Sequence, residues 1–253
     1  LITASTIYYN MEDIALTEAR YTKLTWNTPL SPSHADTLLN DLQLSPSTSI
    51  VDLGCGWGEL LLRAASRAKP MDGPATGVDT NTALLRRASQ AAERRGLSDH
   101  VRFVEQSAAN FREVRDRAIC IGASHAFGGS RAMLERLAEI VPRGRVLVGD
   151  MCWDRGLPTE AARAVCGDEV PMLVDLVGMC RETGWEVLHL STADQREWDE
   201  FESGHRAGLR EWLIANVDSP KAKEVREQED AREREYLGVY RGVLGFVYLV
   251  LGR

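Results

Sequence analysis

Along the first 150 residues the spacing of apolar positions changes in a regular way. Short apolar runs that suit strands covered on both faces alternate with stretches whose leucines and alanines recur at helical spacing. The pattern predicts strands over 49–53, 75–79, 101–105, 117–121 and 145–149, with helices over 33–44, 58–68, 81–95 and 131–140. Pro46, the breaker cluster Lys69-Pro70-Met71-Asp72-Gly73-Pro74, Gly96 and Pro142-Arg143-Gly144 punctuate the helices. Strict alternation of strand and helix implies a parallel sheet with helices on both sides. Right-handed crossovers then place a ligand crevice at the carboxyl ends of the strands.

Beyond residue 149 the rhythm is different. An amphipathic helix over 171–183 is closed by Gly184, and 185–190 reads as a sixth strand. Two helices follow over 194–216 and 220–241, the second heavily charged, before a strongly apolar strand over 243–251. The charged run 221–234 reads as a solvated face with internal ion pairs. Residues 1–30 show little periodicity but carry Tyr8, Tyr9, Met11, Tyr21 and Trp26. This stretch reads either as a segment folded over a pocket or as a surface arm.

Composition narrows the class. The chain has 253 residues, 44% of them hydrophobic, which is ample for a core. A formal net charge of -7 argues against nucleic acid or an anionic membrane as partner, since both need a basic face. The cysteines Cys55, Cys120, Cys152, Cys166 and Cys180 form no Cys-x-x-Cys pair and no zinc spacing, which suits reduced thiols in a cytoplasm. The chain opens at Leu1 without a charged-then-apolar leader. Its longest apolar run, 243–251, is far too short to span a bilayer.

The chemistry is concentrated in Asp52-Leu53-Gly54-Cys55-Gly56-Trp57-Gly58, between the first strand and its helix. Gly54, Gly56 and Gly58 allow a sharp turn and a ligand lying directly on the backbone. The following helix points its free N–H groups and positive dipole end into that loop. A dinucleotide site usually carries Gly-x-Gly-x-x-Gly, and the spacing here is different. Asp79 ends the second strand about 20 residues further on, the distance at which a carboxylate meets a ribose. By itself Asp79 could also cap the helix that follows.

The glycine segment resembles the first motif of class I S-adenosylmethionine (SAM) methyltransferases, Asp-x-Gly-x-Gly-x-Gly, at every fixed position. The resemblance implies a Rossmann-like, doubly wound seven-stranded α/β sheet with an antiparallel last strand and a helical lid. It implies SAM as cofactor, S-adenosyl-L-homocysteine as product, and no metal. The cofactor residues it implies are Asp52, Gly54, Gly56, Gly58, Asp79, Thr80, Gln106, Ser107, Ala108 and Gly122. Family members often carry Asp-Ala after the third strand, where this chain has Ser107-Ala108. The loop Gly122–Gly129 lacks the Asn/Asp-Pro-Pro-Tyr of base-methylating enzymes and the metal-binding acid of catechol O-methyltransferases. It does carry His125, which could take a proton from an acceptor or simply hydrogen-bond within the loop.

For the acceptor, the candidates are Tyr21, Trp153, Trp198, Phe201 and His205, with Glu202 as a second possible base. Trp198 and Glu202 lie four apart on one helical face, and an aromatic wall with a carboxylate suits an amine or an electron-rich heteroaromatic ring. The expected domains are a cap segment and first helix over 1–45, a core over 46–193, a lid over 194–241 that caps the crevice, and the final core strand over 242–253. The expected activity is N- or C-methylation of a small metabolite. O-methylation, an NAD(P)-dependent oxidoreductase and a non-catalytic SAM-binding module are the alternatives.

Overall fold

The computed structural model describes residues 11–68, 74–154 and 156–253, with 11–15 as backbone only. Tyr8, Tyr9 and the breaker positions 69–73 lie outside the described residues. The chain forms two compact units. One comprises Ser31–Cys152, Pro171–Ala193 and Phe246–Arg253 and holds the sheet. The other comprises Leu1–Leu30, Trp153–Val170 and Asp194–Gly245 and is helical. This division assigns residues 31–45 to the sheet unit and 153–170 to the helical one.

The sheet has seven strands: β1 (Ile50–Leu53), β2 (Ala75–Asp79), β3 (Val101–Glu105), β4 (Arg117–Ile121), β5 (Arg145–Trp153), β6 (Glu186–Thr192) and β7 (Leu244–Gly252). Their order is β3-β2-β1-β4-β5-β7-β6. The first five run parallel, with Val51 opposite Thr76 and Ala118, and Ile119 opposite Leu147. β7 lies between β5 and β6 and runs antiparallel to β6, with an irregularity between Val187 and His189. Every residue of β1 and of β7 is buried, as expected for strands covered on both faces. β6, at the edge, alternates between exposed and half-buried positions instead.

The helices of this unit are α2 (Pro32–Asp41), α3 (Glu59–Arg67), α4 (Thr82–Arg94), α5 (Ser130–Ile140) and α7 (Leu173–Glu182). Met133, Leu134, Leu137 and Ile140 of α5 join Leu176 and Cys180 of α7 and Val146, Val148, Val247 and Leu249 of the sheet in one buried cluster. The Trp185 indole donates to the Leu134 carbonyl at 3.1 Å and so ties the start of β6 to α5. α2 begins at the Ser31 cap with Pro32 in its first turn, which is where proline fits a helix. It stops at Asp41, before the position expected from Pro46. Gln43 adopts a left-handed φ of 52°, and that residue breaks the helix.

The helical unit contains α1 (Met11–Tyr21), α6 (Glu160–Cys166), α8 (Gln195–Ala215) and α9 (Ala222–Glu235), with a π-turn over Tyr236–Tyr240. α1 and α6 fall in stretches where the sequence pattern predicted no element. α8 opens with a capping box in which Asp194 and Glu197 exchange side-chain and backbone bonds. Leu209 and Leu213 of α8 pack with Ala222 and Val225 of α9, and Leu16, Ala19 and Trp212 border them. The charged helix α9 is therefore more than a solvated face. Its arginines and acids also pair with α8, as in Arg210–Asp230 at 2.7 Å and Arg232–Glu202 at 2.9 Å.

α1 crosses α8 at Gly208. A Cβ there would come within 1.8 Å of the Ala19 carbonyl oxygen, so the two backbones are too close for any side chain. Gly208→Ala is expected to destabilise the protein by about 1–3 kcal/mol, through forced displacement of α1. Urea denaturation together with hydrogen exchange in 11–21 measures it, and unchanged stability would show that α1 can shift without cost.

Candidate active site

All candidate cofactor residues lie in the sheet unit, at the carboxyl ends of its parallel strands. The glycine loop leaves β1 with left-handed φ values of 80° at Gly54, 54° at Gly56 and 71° at Gly58. Its turn is fixed by hydrogen bonds from Gly54 N and Cys55 N to the Val78 carbonyl, at 2.8 and 3.0 Å. The three glycines serve different ends. A Cβ on Gly54 would lie 2.6 Å from the Ala123 methyl, and one on Gly58 would lie 2.6 Å from the Phe103 ring. Those two positions make room for neighbouring protein atoms. A Cβ on Gly56 would meet no atom within 4 Å, which leaves the space above that residue for a ligand.

Asp79 holds this loop in place. Its Oδ2 accepts from Gly56 N at 2.8 Å and its Oδ1 from Asn81 N at 2.8 Å. The helix cap of α4 is Asn81, whose side chain accepts from Ala83 N and Leu84 N. Asp79 is thus released from the capping role its position allowed, and both its oxygens keep a lone pair for a ribose hydroxyl. Thr80 is exposed in the turn beside it. Gln106 N donates to the Asp79 carbonyl at 2.9 Å, which sets Gln106, Ser107 and Ala108 next to the same edge.

The loop after β4 completes this edge. Gly122 N donates to the Gly149 carbonyl at 2.8 Å, and Ala123 stands against Gly54. His125 follows in a single 3₁₀ turn, Ser124–Phe127, with its side chain exposed. That turn packs beside the 3₁₀ turn Ala108–Asn110. Asp150 is buried on β5 and accepts from Ser130 Oγ at 2.8 Å and Met151 N at 2.9 Å. Phe103, Ala123 and Asn81 support the loop without having been singled out in the sequence. Only the aromatic character of Phe103 within a strand offered a signal.

Asp52 is 4% exposed. Burial, and then the charge of Asp79, push its carboxyl up to about 8. Burial likewise pushes the Cys55 thiol up, so Cys55 is not a thiolate nucleophile at neutral pH.

The acceptor candidates all lie in the helical unit. Trp198, Phe201, His205 and Tyr21 form a continuous row, with successive ring centroids 6.2 Å apart. Trp153 is buried at the end of β5. Glu202 is placed differently from the open carboxylate expected. It accepts from Arg232 Nε and Nη2 at 2.9 and 3.0 Å and from the Tyr240 hydroxyl at 3.1 Å, at 2% exposure. These three donors anchor Glu202 to α9 and the turn that follows it. His205 is held neutral, because burial first and then Arg232, Arg20 and Arg206 push its imidazole down to about 3.

The family model for the methyltransferase domain matches residues 44–201, more than half of the chain. The chain belongs to the SAM-dependent methyltransferases. A SAM-dependent methyltransferase from Geobacter sulfurreducens, crystallised with S-adenosyl-L-homocysteine, superposes with a TM-score of 0.84. It is 30% identical, over 94% of this chain and 98% of that one. A counterpart from Thiobacillus denitrificans, also in complex with S-adenosyl-L-homocysteine, gives 0.83 at 29% identity, over 94% and 98%. Escherichia coli YjhP is 33% identical over 89% of this methyltransferase and 93% of its own length. Among the described residues no group of three or more His, Cys, Asp or Glu could hold a metal ion. No helix among them is long and apolar enough to cross a membrane.

Two predictions come from this geometry. Gly56→Val is expected to keep the fold, at a cost of about 1–2 kcal/mol for the left-handed backbone, and to weaken S-adenosyl-L-homocysteine binding at least about tenfold. Calorimetry and a thermal melt separate the two effects. Asp52 gives a pH signature. Its carboxyl holds a proton in the fold that the unfolded chain releases near the ordinary aspartate value of 3.8. Stability should therefore fall as pH rises from about 4 to about 8 and level off above. Asp52→Asn should remove that slope in denaturation at several pH values.

Proposed function

We propose that the protein transfers the methyl group of SAM to a small-molecule acceptor bearing an aromatic or heteroaromatic ring, on nitrogen or carbon. The observation that carries the donor site is the glycine loop. Space stands open over Gly56, and the Asp79 carboxylate is fixed beside it by two backbone N–H groups. Gly54, Gly56 and Gly58 would cradle the methionine part, Asp79 and Thr80 the ribose, and Gln106, Ser107 and Ala108 the adenine, with Asp52 and Gly122 behind them. When bound, SAM supplies an electrophilic methyl group. The chain's own work is to align the acceptor in line with that group and to exclude water.

The acceptor reading rests on the aromatic row. Tyr21, Phe201, Trp198 and His205, with Trp153, form the proposed acceptor-binding set. Glu202 is buried and already accepts three hydrogen bonds from Arg232 and Tyr240, which favours an electron-rich ring over a simple ammonium acceptor. His125 is the proposed proton acceptor, because it is exposed on the loop that abuts Gly54. The net charge of -7 supports a small molecule over a nucleic acid.

Titration with SAM, S-adenosyl-L-homocysteine and NAD tests the donor. The first two are expected to bind and NAD is not, and the reverse order would overturn the assignment. His125→Ala is expected to lower turnover at least about tenfold with S-adenosyl-L-homocysteine affinity unchanged, because general-base catalysis contributes ~10²–10⁴. Full activity in the variant would make His125 a structural loop residue.

A further inference from the structure

Native folds leave few buried polar atoms without a partner, and each such atom calls for a physical reason. Among the described residues four buried side-chain polar atoms have none: Trp198 Nε1, His205 Nδ1, Arg206 Nη1 and Glu229 Oε2. All four belong to α8 and α9 of the helical unit. Trp198, Glu202, His205, Arg206 and Leu209 recur at spacings of three and four along α8, and Glu229, Arg232 and Tyr236 do so along α9. The Glu202–Arg232 clasp joins the two stripes. An unpaired atom stands one turn to either side of Glu202, at Trp198 and at His205–Arg206, and Glu229 stands one turn before Arg232.

The charges around this cluster fall into two groups. Glu202 is engaged by Arg232 and Tyr240, and Asp230 and Glu233 are engaged by Arg210. Arg206 is held only loosely, with Nε 3.7 Å from Glu233 and Nη1 4.0 Å from Glu202, and its Nη1 makes no hydrogen bond. His205 feels Arg20, Arg206 and Arg232 together, and every charge acting on it disfavours a further positive charge. Glu229 faces those same three arginines and Arg210, and burial, the larger effect, raises its carboxyl. Trp198 Nε1 and Arg206 Nη1 can only donate, and His205 Nδ1 can donate in one tautomer. An unpaired set of this kind, in a field of arginines, is complementary to an oxyanion.

We propose that the helical unit carries a binding site for the carboxylate of a small aromatic acid, with Arg206, His205 and Trp198 as donors and the ring seated along Phe201 and Tyr21. The ring placement follows the aromatic row, in which Trp198 and His205 are buried while Phe201 and Tyr21 remain half-exposed. The inference rests on the acceptor reading above only for its identification of the acceptor as an aromatic acid. The binding site itself is read without turnover.

The test uses the full chain with benzoate, benzamide and benzylamine, which share a ring and differ in charge. Binding is followed by calorimetry and by the indole N–H resonance of Trp198, assigned by its loss in Trp198→Phe. Benzoate is expected to bind at millimolar concentration or better and to shift that resonance, with the amide and the amine at least about tenfold weaker. Arg206→Met should weaken benzoate at least about tenfold while leaving S-adenosyl-L-homocysteine binding intact, which also certifies the fold. Glu229→Gln should retain or strengthen benzoate binding, because it removes a carboxyl group that competes with benzoate for the same arginines. Tighter binding of benzylamine would overturn the proposal in favour of a cation site, and loss of benzoate in Glu229→Gln would overturn the oxyanion assignment. No response to benzoate from a chain that still binds S-adenosyl-L-homocysteine would overturn it too, leaving the four atoms to water. Failure of S-adenosyl-L-homocysteine to bind, with benzoate bound, would instead overturn the methyl-transfer reading alone.

Discussion

The Asp79 carboxylate joins two elements that are otherwise separate. One oxygen takes the Gly56 amide of the loop after β1, and the other takes the Asn81 amide at the start of α4. Charge-assisted bonds to backbone amides are strong and directional, so they fix the loop without a side chain standing in its mouth. The rest of the edge is arranged around that loop. Ala123 rests on Gly54, the Phe103 ring backs Gly58 and Gly77, and the Asp79 carbonyl receives Gln106.

A second, independent constraint operates in the helical unit. There Glu202 is buried with three donors, and a buried ion pair of this kind gains its stability from complete hydrogen bonding rather than from charge alone. The same clasp aligns α8 with α9 and leaves Trp198 Nε1, His205 Nδ1 and Arg206 Nη1 nearby without a hydrogen bond. Burying such groups is costly unless something hydrogen-bonds to them. Glu202 was attractive in the sequence because it sits four residues from Trp198, on the same helical face. The partner that occupies it, Arg232, lies 30 residues away, and helical spacing carries no information about such a contact.

Much of the sheet was legible because its signals are local. β2, β3 and β4 begin and end where their apolar runs do, and the Asn81 side-chain cap and the left-handed Gly96 mark the ends of α4. α1 was not legible. It is a short helix whose packing depends on a groove that Gly208 opens, nearly 190 residues further along the chain. β5 extends to Trp153 rather than stopping at Gly149, because pairing with neighbouring strands, not its own composition, sets its length.

What the sequence determined by itself was the loop and its chemistry. Three glycines at alternate positions, an acid before them and an acid at the next strand end specify a backbone shape that few other residues could adopt. What only the tertiary structure decided was which polar groups are already satisfied. It gave Glu202 to Arg232, left Asp79 anchored with lone pairs to spare, and set His205 among arginines that keep it neutral. Hydrogen bonding and electrostatic fields depend on distances between residues far apart in the chain, and those distances exist only once the chain has folded.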